Sequence, residues 1–280
     1  MIPYANIVEW RATTAPWVDD AQVEQDLVLS RAILLVFNDD WLRARLAFRG
    51  GTVLHKCLLA PAARYSNDID LVMTEAGPIG PVFDRLRQVL AWLGEGKTKL
   101  SANLGTITFA FATEGRVPPS MKLKVEINYS EHEPLFGFHS ARYEIQNTWC
   151  TGMTSLRTYE LDELLGTKLR ALHQRRKGRD LFDLDLALRR ESVSPERIRA
   201  AFLHYMQSEP GPLYRHDVEA TLAAKMTNDA FLNDIRPLLR PDVVYNAREA
   251  YERVGDTLIT PLPRVIIAPR TPPATTTASP

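Results

Sequence analysis

The sequence predicts an α+β protein in which a small mixed β-sheet core follows an N-terminal helical layer and precedes a mostly helical region. Three observations carry that expectation. Residues 19–45 hold apolar side chains at helical spacing, residues 46–129 break into short apolar runs of strand length, and residues 156–260 return to helix formers. The 280 residues are 45% hydrophobic and 24% charged, which suits one or two domains with a substantial core. The 34 Lys+Arg balance 34 Asp+Glu, which excludes a uniformly basic protein.

In chain order, Val23, Leu27, Ser30, Leu34 and Phe37 mark one face of the first helix, with Asp19 or Asp20 as its cap. LAFRGG, DIDLVM, TITFAFA and MKLKVEINY read as strands around a helical stretch near 79–93. The segments TYELDELLGTKLRALHQRRKG, DLFDLDLALRR and SPERIRAAFLHYM then read as helices. These changes of rhythm set the expected boundaries: a helical layer over 1–45, the sheet core over 46–150 and a helical domain over 151–262. A Pro/Thr-rich tail over 263–280 is too poor in apolar residues to build a packed core and is expected to be disordered, with Val265 to Ile267 the one run in it able to dock. No uncharged apolar run approaches the ~20 residues that span a bilayer, and the N-terminus is acidic where a secretory signal would be basic. A cytoplasmic protein without membrane contact is expected. Cys57 and Cys150 lie in no metal-ligand spacing and read as reduced thiols, and His132 and His139 lack a zinc framework.

The segment from Phe48 to Met73 is the richest in chemistry. Gly50 and Gly51 allow a tight turn from strand to helix with backbone N–H groups exposed, and Thr52 opens the helix with a hydroxyl, an arrangement suited to phosphate. Steric demand alone also places Gly-Gly in such turns. Asp68 and Asp70, two apart on a strand, project to one face, where paired carboxylates repel unless a hard divalent cation such as Mg2+ neutralises them. Water alone can also satisfy two acids at a strand edge. In KLKVEINY, Glu126 shares the polar face of a half-buried strand with Lys122 and Lys124, either as a third acid beside Asp70 or as part of a solvated Lys/Glu ladder. The stretch from Lys168 to Arg190 holds eight Lys/Arg against three Asp, and Arg175, Arg176, Lys177 and Arg179 crowd one corner. That local excess is either a nucleic-acid footprint or a solvated helical face. Arg49 and Arg64 flank the glycine turn and are secondary phosphate candidates, while His55 reads as structural.

Taken together, GGT, a spacer, S-x-D-I-D, a later strand Glu and ELLGTKLRALHQRRKGRDLFDL resemble the AbiEii/MenT-type nucleotidyltransferase toxins of the DNA polymerase β-like superfamily, over residues 45–190. The resemblance implies that the sheet core is a nucleotidyltransferase core. It further implies that Asp68 and Asp70 bind Mg2+ or Mn2+ with Glu126 completing the cluster. Gly50, Gly51, Thr52 and Ser66 would lie at the phosphates of an NTP. Lys168 matches the family lysine, a triphosphate clamp, and Asp183 the acid that follows it, with Asp180 a competing match. The implied activity is transfer of NMP from NTP to an acceptor hydroxyl, with tRNA the preferred acceptor because of the basic corner, under control of a cognate antitoxin. A small-molecule nucleotidyltransferase and a noncatalytic nucleotide-binding regulator share the same acids and turn. Phosphorylation of Ser66 would add a charge of about −1.5 to −2 beside the acids, a regulatory route that mass spectrometry of protein co-expressed with its antitoxin would reveal or remove.

Overall fold

The computed structural model describes residues 2–114, 119–190 and 192–269. The part of the predicted tail from residue 270 onward lies outside the described residues. The chain forms two compact units, one of Met1–Leu164 with Asp234–Tyr245, the other of Leu165–Asn233 with the described residues from Asn246 onward.

In the first unit, α1 (Tyr4–Thr13) and α2 (Asp20–Asn38) precede the sheet. The Asp19 side chain accepts from the Ala21 N–H at 2.9 Å and caps α2. The helix predicted over 19–45 is divided at Asp39, whose carboxylate accepts from the Leu42 N–H at 2.9 Å and starts α3 (Asp40–Arg45). A second capping aspartate inside an apolar-periodic run thus makes two helices of one. Strand β1 (Leu46–Arg49) leads through Gly50 into α4 (Gly50–Val53), which widens into a π-helical turn over Leu54–Leu58. Strand β2 (Asp68–Met73), α5 (Gly80–Val89), β3 (Gly96–Leu100), β4 (Leu104–Ala112), β5 (Ser120–Asn128), β6 (Phe138–Asn147) and β7 (Cys150–Tyr159) follow.

Seven strands form one mixed sheet in the order β3-β4-β5-β2-β1-β7-β6. Strand β2 pairs antiparallel with β1 and parallel with β5, so the two acid-bearing runs lie side by side. Alternation sorts each strand: Met121, Leu123, Val125 and Ile127 of β5 are buried, while Lys122, Lys124 and Glu126 project from the other face. Leu27, Leu29, Ile33 and Phe37 of α2 are fully buried in the core that includes Phe48, Ile69, Val72 and Val125. Each such side chain contributes about 1.5–3 kcal/mol. Asp26, nearly without exposure, accepts from Trp10 Nε1 at 2.9 Å and Lys56 Nζ at 2.8 Å. That buried carboxylate ties α1 and the π-helical turn to α2. The segment Asp234–Tyr245 returns to this unit, where the Tyr65 N–H donates to the Leu238 carbonyl at 2.7 Å and the Arg240 N–H to the Ala63 carbonyl at 3.0 Å. It braces the loop that leads into β2.

Helix α6 (Leu161–Gln174) contains the boundary between the units. The second unit continues with α7 (Gly178–Leu188), α8 (Pro195–Met206), β8 (Leu213–Tyr214), α9 (Arg215–Lys225), α10 (Asp229–Asn233), α11 (Ala247–Val254) and β9 (Val265–Ile267), the last paired antiparallel with β8. Ser194 caps α8 ahead of Pro195 at its first position, and Asn246 caps α11. Gly166 lets α6 and α8 meet at backbone distance, since a Cβ there would lie 2.9 Å from both the Ile198 carbonyl oxygen and the Phe202 nitrogen.

Candidate active site

The register places Asp68 opposite Lys124 and Asp70 opposite Glu126 across β2 and β5. Because side chains alternate along strands, these four residues share one face. Asp70 is also paired with Arg49 of β1. Lys124 Nζ lies 3.3 Å from Asp68 Oδ2 and 3.2 Å from Glu126 Oε1. Burial draws this ammonium down, but the charges of Asp68 and Glu126 and the hydrogen bonds to both outweigh it, so its pKa is raised. Two of the three acids, Asp68 and Glu126, are therefore joined through a lysine. Among the described residues no group of three His, Cys, Asp or Glu side chains is arranged to hold a metal ion. The donor set is nonetheless that of a hard cation, with carboxylate oxygens from adjoining strands already holding a positive charge between two of them. Lys124, read in the sequence only as a neighbour of Glu126 on the polar face, reaches Asp68 as well. Its position two residues before Glu126, on the same strand face, was the available signal.

Gly50 is required by this face. Its φ is +83°, and a Cβ there would lie 2.0 Å from Asp70 Oδ2. A Gly50→Ala variant is expected to lose about 1–3 kcal/mol of stability, from left-handed strain and from displacement of the Asp70 carboxylate. Denaturant unfolding measures that loss. At Gly51 the crowding comes from Arg64, whose Nη2 would lie 2.5 Å from an added Cβ. Arg64 is itself buried and donates from Nη1 to its neighbour's carbonyl, at Tyr65, at 2.9 Å. Arg49 pairs with Glu131 at 2.8 Å.

Thr52, expected to offer its hydroxyl to phosphate, turns it into the interior instead. The side chain is fully buried, with Oγ1 2.6 Å from the Asp68 carbonyl oxygen and 2.8 Å from Ser66 Oγ. The Thr52 hydroxyl thus faces two acceptors, the Asp68 carbonyl and the Ser66 hydroxyl oxygen. This chain of hydroxyls staples α4 to the start of β2. Ser66 is half-buried at the mouth of that strand. His55 is buried, and the half-buried Cys57 thiol is pushed up to about 12 by burial.

The remaining predicted residues lie in the second unit. Lys168 on α6 is buried, with Nζ 3.1 Å from Asp180 Oδ1 and 2.9 Å from Asp183 Oδ2 of α7. Both candidates for the family acid thus contact the lysine. Both carboxylates are fully buried. Asp180 is also held by Arg175, from Nε at 2.7 Å and Nη2 at 2.8 Å. Burial pushes the Asp180 carboxyl up, but Lys168 and Arg175 outweigh it and its pKa is lowered. Arg176 and Lys177 are exposed and Arg179 is half-buried. Of the four predicted corner residues, Arg175 therefore closes over a buried acid while its neighbours face outward or partly outward. Lys225 adds a further cation, donating to the carbonyls of Leu172 and of His173 (2.9 Å for the second) at the end of α6, with its pKa lowered to about 8 by burial.

The family model for the nucleotidyl transferase AbiEii toxin of type IV toxin–antitoxin systems matches residues 33–253. The chain belongs to this AbiEii family. It is accordingly a nucleotidyltransferase toxin of a toxin–antitoxin system, acting on an NTP. Among solved structures, the chain is similar to the nucleotidyltransferase toxin MenT4 of Mycobacterium tuberculosis H37Rv, at 18% identity and TM-score 0.64, over 94% of this chain and 91% of that one. It is also similar to JHP933 of Helicobacter pylori, at 17% identity and TM-score 0.51, over 85% and 90%. These likenesses show that this AbiEii protein shares their fold. No curated protein matches the chain. Among the described residues, no helix is long and apolar enough to cross a membrane.

Proposed function

We propose that this AbiEii protein transfers NMP from an NTP to the 3′ end of tRNA, and that the face shared by β2 and β5 is the reacting centre. The pairing of Asp70 with Glu126, beside Asp68, is the observation that carries the reading. Asp68, Asp70 and Glu126 would hold Mg2+ or Mn2+, which when bound polarises the phosphate to be attacked and offsets charge on departing pyrophosphate. Glu126, on the neighbouring strand, is placed to accept the acceptor hydroxyl's proton. The Gly50–Gly51 turn brings backbone, with no side chain in the way, to the carboxylate of Asp70. It is there that we place the triphosphate. Most of the rate would come from positioning and charge stabilisation, since phosphoryl-type transfer leaves the protein little covalent work.

The acceptor follows from charge. Arg176 and Lys177 are exposed on the α6–α7 connection in a chain of zero net charge, a local basic surface of the kind that tracks a polynucleotide backbone. A cognate antitoxin would restrain the enzyme, in keeping with its family. The test is incubation with α-labelled NTPs and total tRNA, intact or oxidised with periodate to destroy the terminal diol. Label on intact tRNA and none on oxidised tRNA is the expected result. Equal labelling of both would contradict the 3′ end, and no label on any RNA with transfer to a small hydroxylated acceptor would contradict tRNA.

A further inference from the structure

We infer that Lys124 is a resident counter-ion of the acidic face, an ammonium that a divalent ion must displace and that then passes to the triphosphate. The inference rests on the reading of Asp68, Asp70 and Glu126 as the acids that hold the metal, and it adds how they are held before substrate arrives.

Three facts lead to it. Lys124 stands opposite Asp68 in the parallel pair of β2 with β5 and two residues before Glu126, so its side chain leaves the sheet on the face of the acids. Its Nζ sits between Asp68 and Glu126 at 3.3 and 3.2 Å. The side chain is 38% exposed and carries four methylenes, so the ammonium is free to swing toward solvent without disturbing the sheet.

Electrostatics gives the consequence. Three like charges on adjoining strands repel, and the lysine offsets that repulsion. Asp68 and Glu126 would offer the same carboxylate oxygens to a divalent ion, so the Lys124 ammonium and a metal would compete for them. Metal alone therefore displaces a bound charge and gains no new partner for it. Metal arriving with a triphosphate supplies that partner, because the displaced ammonium can meet phosphate oxygens. Metal and nucleotide then reinforce each other through one side chain, and the coupling is reciprocal.

The test uses the full chain, with Mn2+ as metal probe and inorganic tripolyphosphate as a base-independent stand-in for the nucleotide tail. Free Mn2+ is followed by electron paramagnetic resonance, and binding of Mn2+-tripolyphosphate by calorimetry. Lys124→Met and Lys124→Gln remove the charge with different polarity, and circular dichroism verifies that each is folded. The expected result is that both variants bind Mn2+ alone more tightly than the native chain, by roughly tenfold after solvent screening of a part-exposed charge. Both also bind Mn2+-tripolyphosphate more weakly relative to Mn2+ alone. Folded variants whose Mn2+ affinity is unchanged or reduced would overturn the inference while leaving the acids' role intact. Mn2+ binding that survives Asp70→Asn unaltered would overturn the underlying reading and the inference with it.

Discussion

Asp70→Asn is expected to lower nucleotidyl transfer about a thousandfold or more while leaving the melting temperature within a few degrees. The substitution keeps the shape of the side chain and removes one carboxylate charge from a half-buried face. That charge matters in the reaction because negative charge grows on the leaving pyrophosphate, and each interaction made with it in the transition state is worth several kcal/mol when correctly placed. It matters little to folding, because Asp70 shares its face with the like-charged Asp68 and Glu126, and the buried Ile69 and Leu71 on the other face of β2 are untouched. Steady-state transfer rates beside a thermal melt separate the two effects. A rate within tenfold of native would place the chemistry elsewhere.

The Lys168→Met variant is expected to fail for the opposite reason, by losing stability. Lys168 is enclosed with two fully buried carboxylates, and removing one partner of a buried ion pair costs about 3–5 kcal/mol because the remaining charge is left uncompensated. For a chain of this size that lowers the melting temperature by roughly 10 °C or more. The pH dependence has a definite sign. In the native chain the Asp180 pKa is lowered below the ordinary carboxylate value, so the stabilisation by its cation partners is present above about pH 4 and is lost as pH falls through the folded value. Without Lys168 the folded pKa of Asp180 rises, because burial still pushes it up and the largest opposing charge is gone. The deficit of the variant is therefore largest near pH 7 and narrows as pH falls through the interval between the two folded values. Urea unfolding at pH 7 and pH 4.5 measures this, and a deficit that is constant or that widens toward acid would contradict it.

Much of this was legible in sequence where the pattern was local. DIDLVM and MKLKVEINY fix β2 and β5 by alternation, and the same alternation puts Asp68, Asp70 and Glu126 on polar faces. What alternation cannot supply is which strands are neighbours. The parallel pairing that sets Glu126 beside Asp70 is made between runs separated by α5, β3 and β4. The β6–β7 hairpin escaped notice because its buried face is built from Ala141, Tyr143, Ile145, Asn147, Thr154, Leu156 and Thr158, too polar to read as a core strand. Its two-residue turn, Thr148-Trp149, lacks the Asn-Gly or Gly-rich signal of a tight hairpin. Helix α1 hides for a related reason, with Tyr4 and Val8 exposed and Asn6 buried. Side-chain direction was the least legible feature. The inward turn of the Thr52 hydroxyl and the burial of Lys168 both depend on partners no more than sixteen residues away in sequence but chosen by tertiary packing. Gly166 in mid-helix, unfavourable by about 1 kcal/mol on propensity, makes sense only once α8 is seen against it.

Transfer by the β2–β5 acid face is tested most directly by single-turnover transfer from each α-labelled NTP to tRNA, comparing the native chain with the Asp68→Asn/Asp70→Asn double variant at matched folded concentration. Label is expected on tRNA with the native chain, from one NTP or a subset, and none above background with the double variant. Equal transfer by both would contradict it.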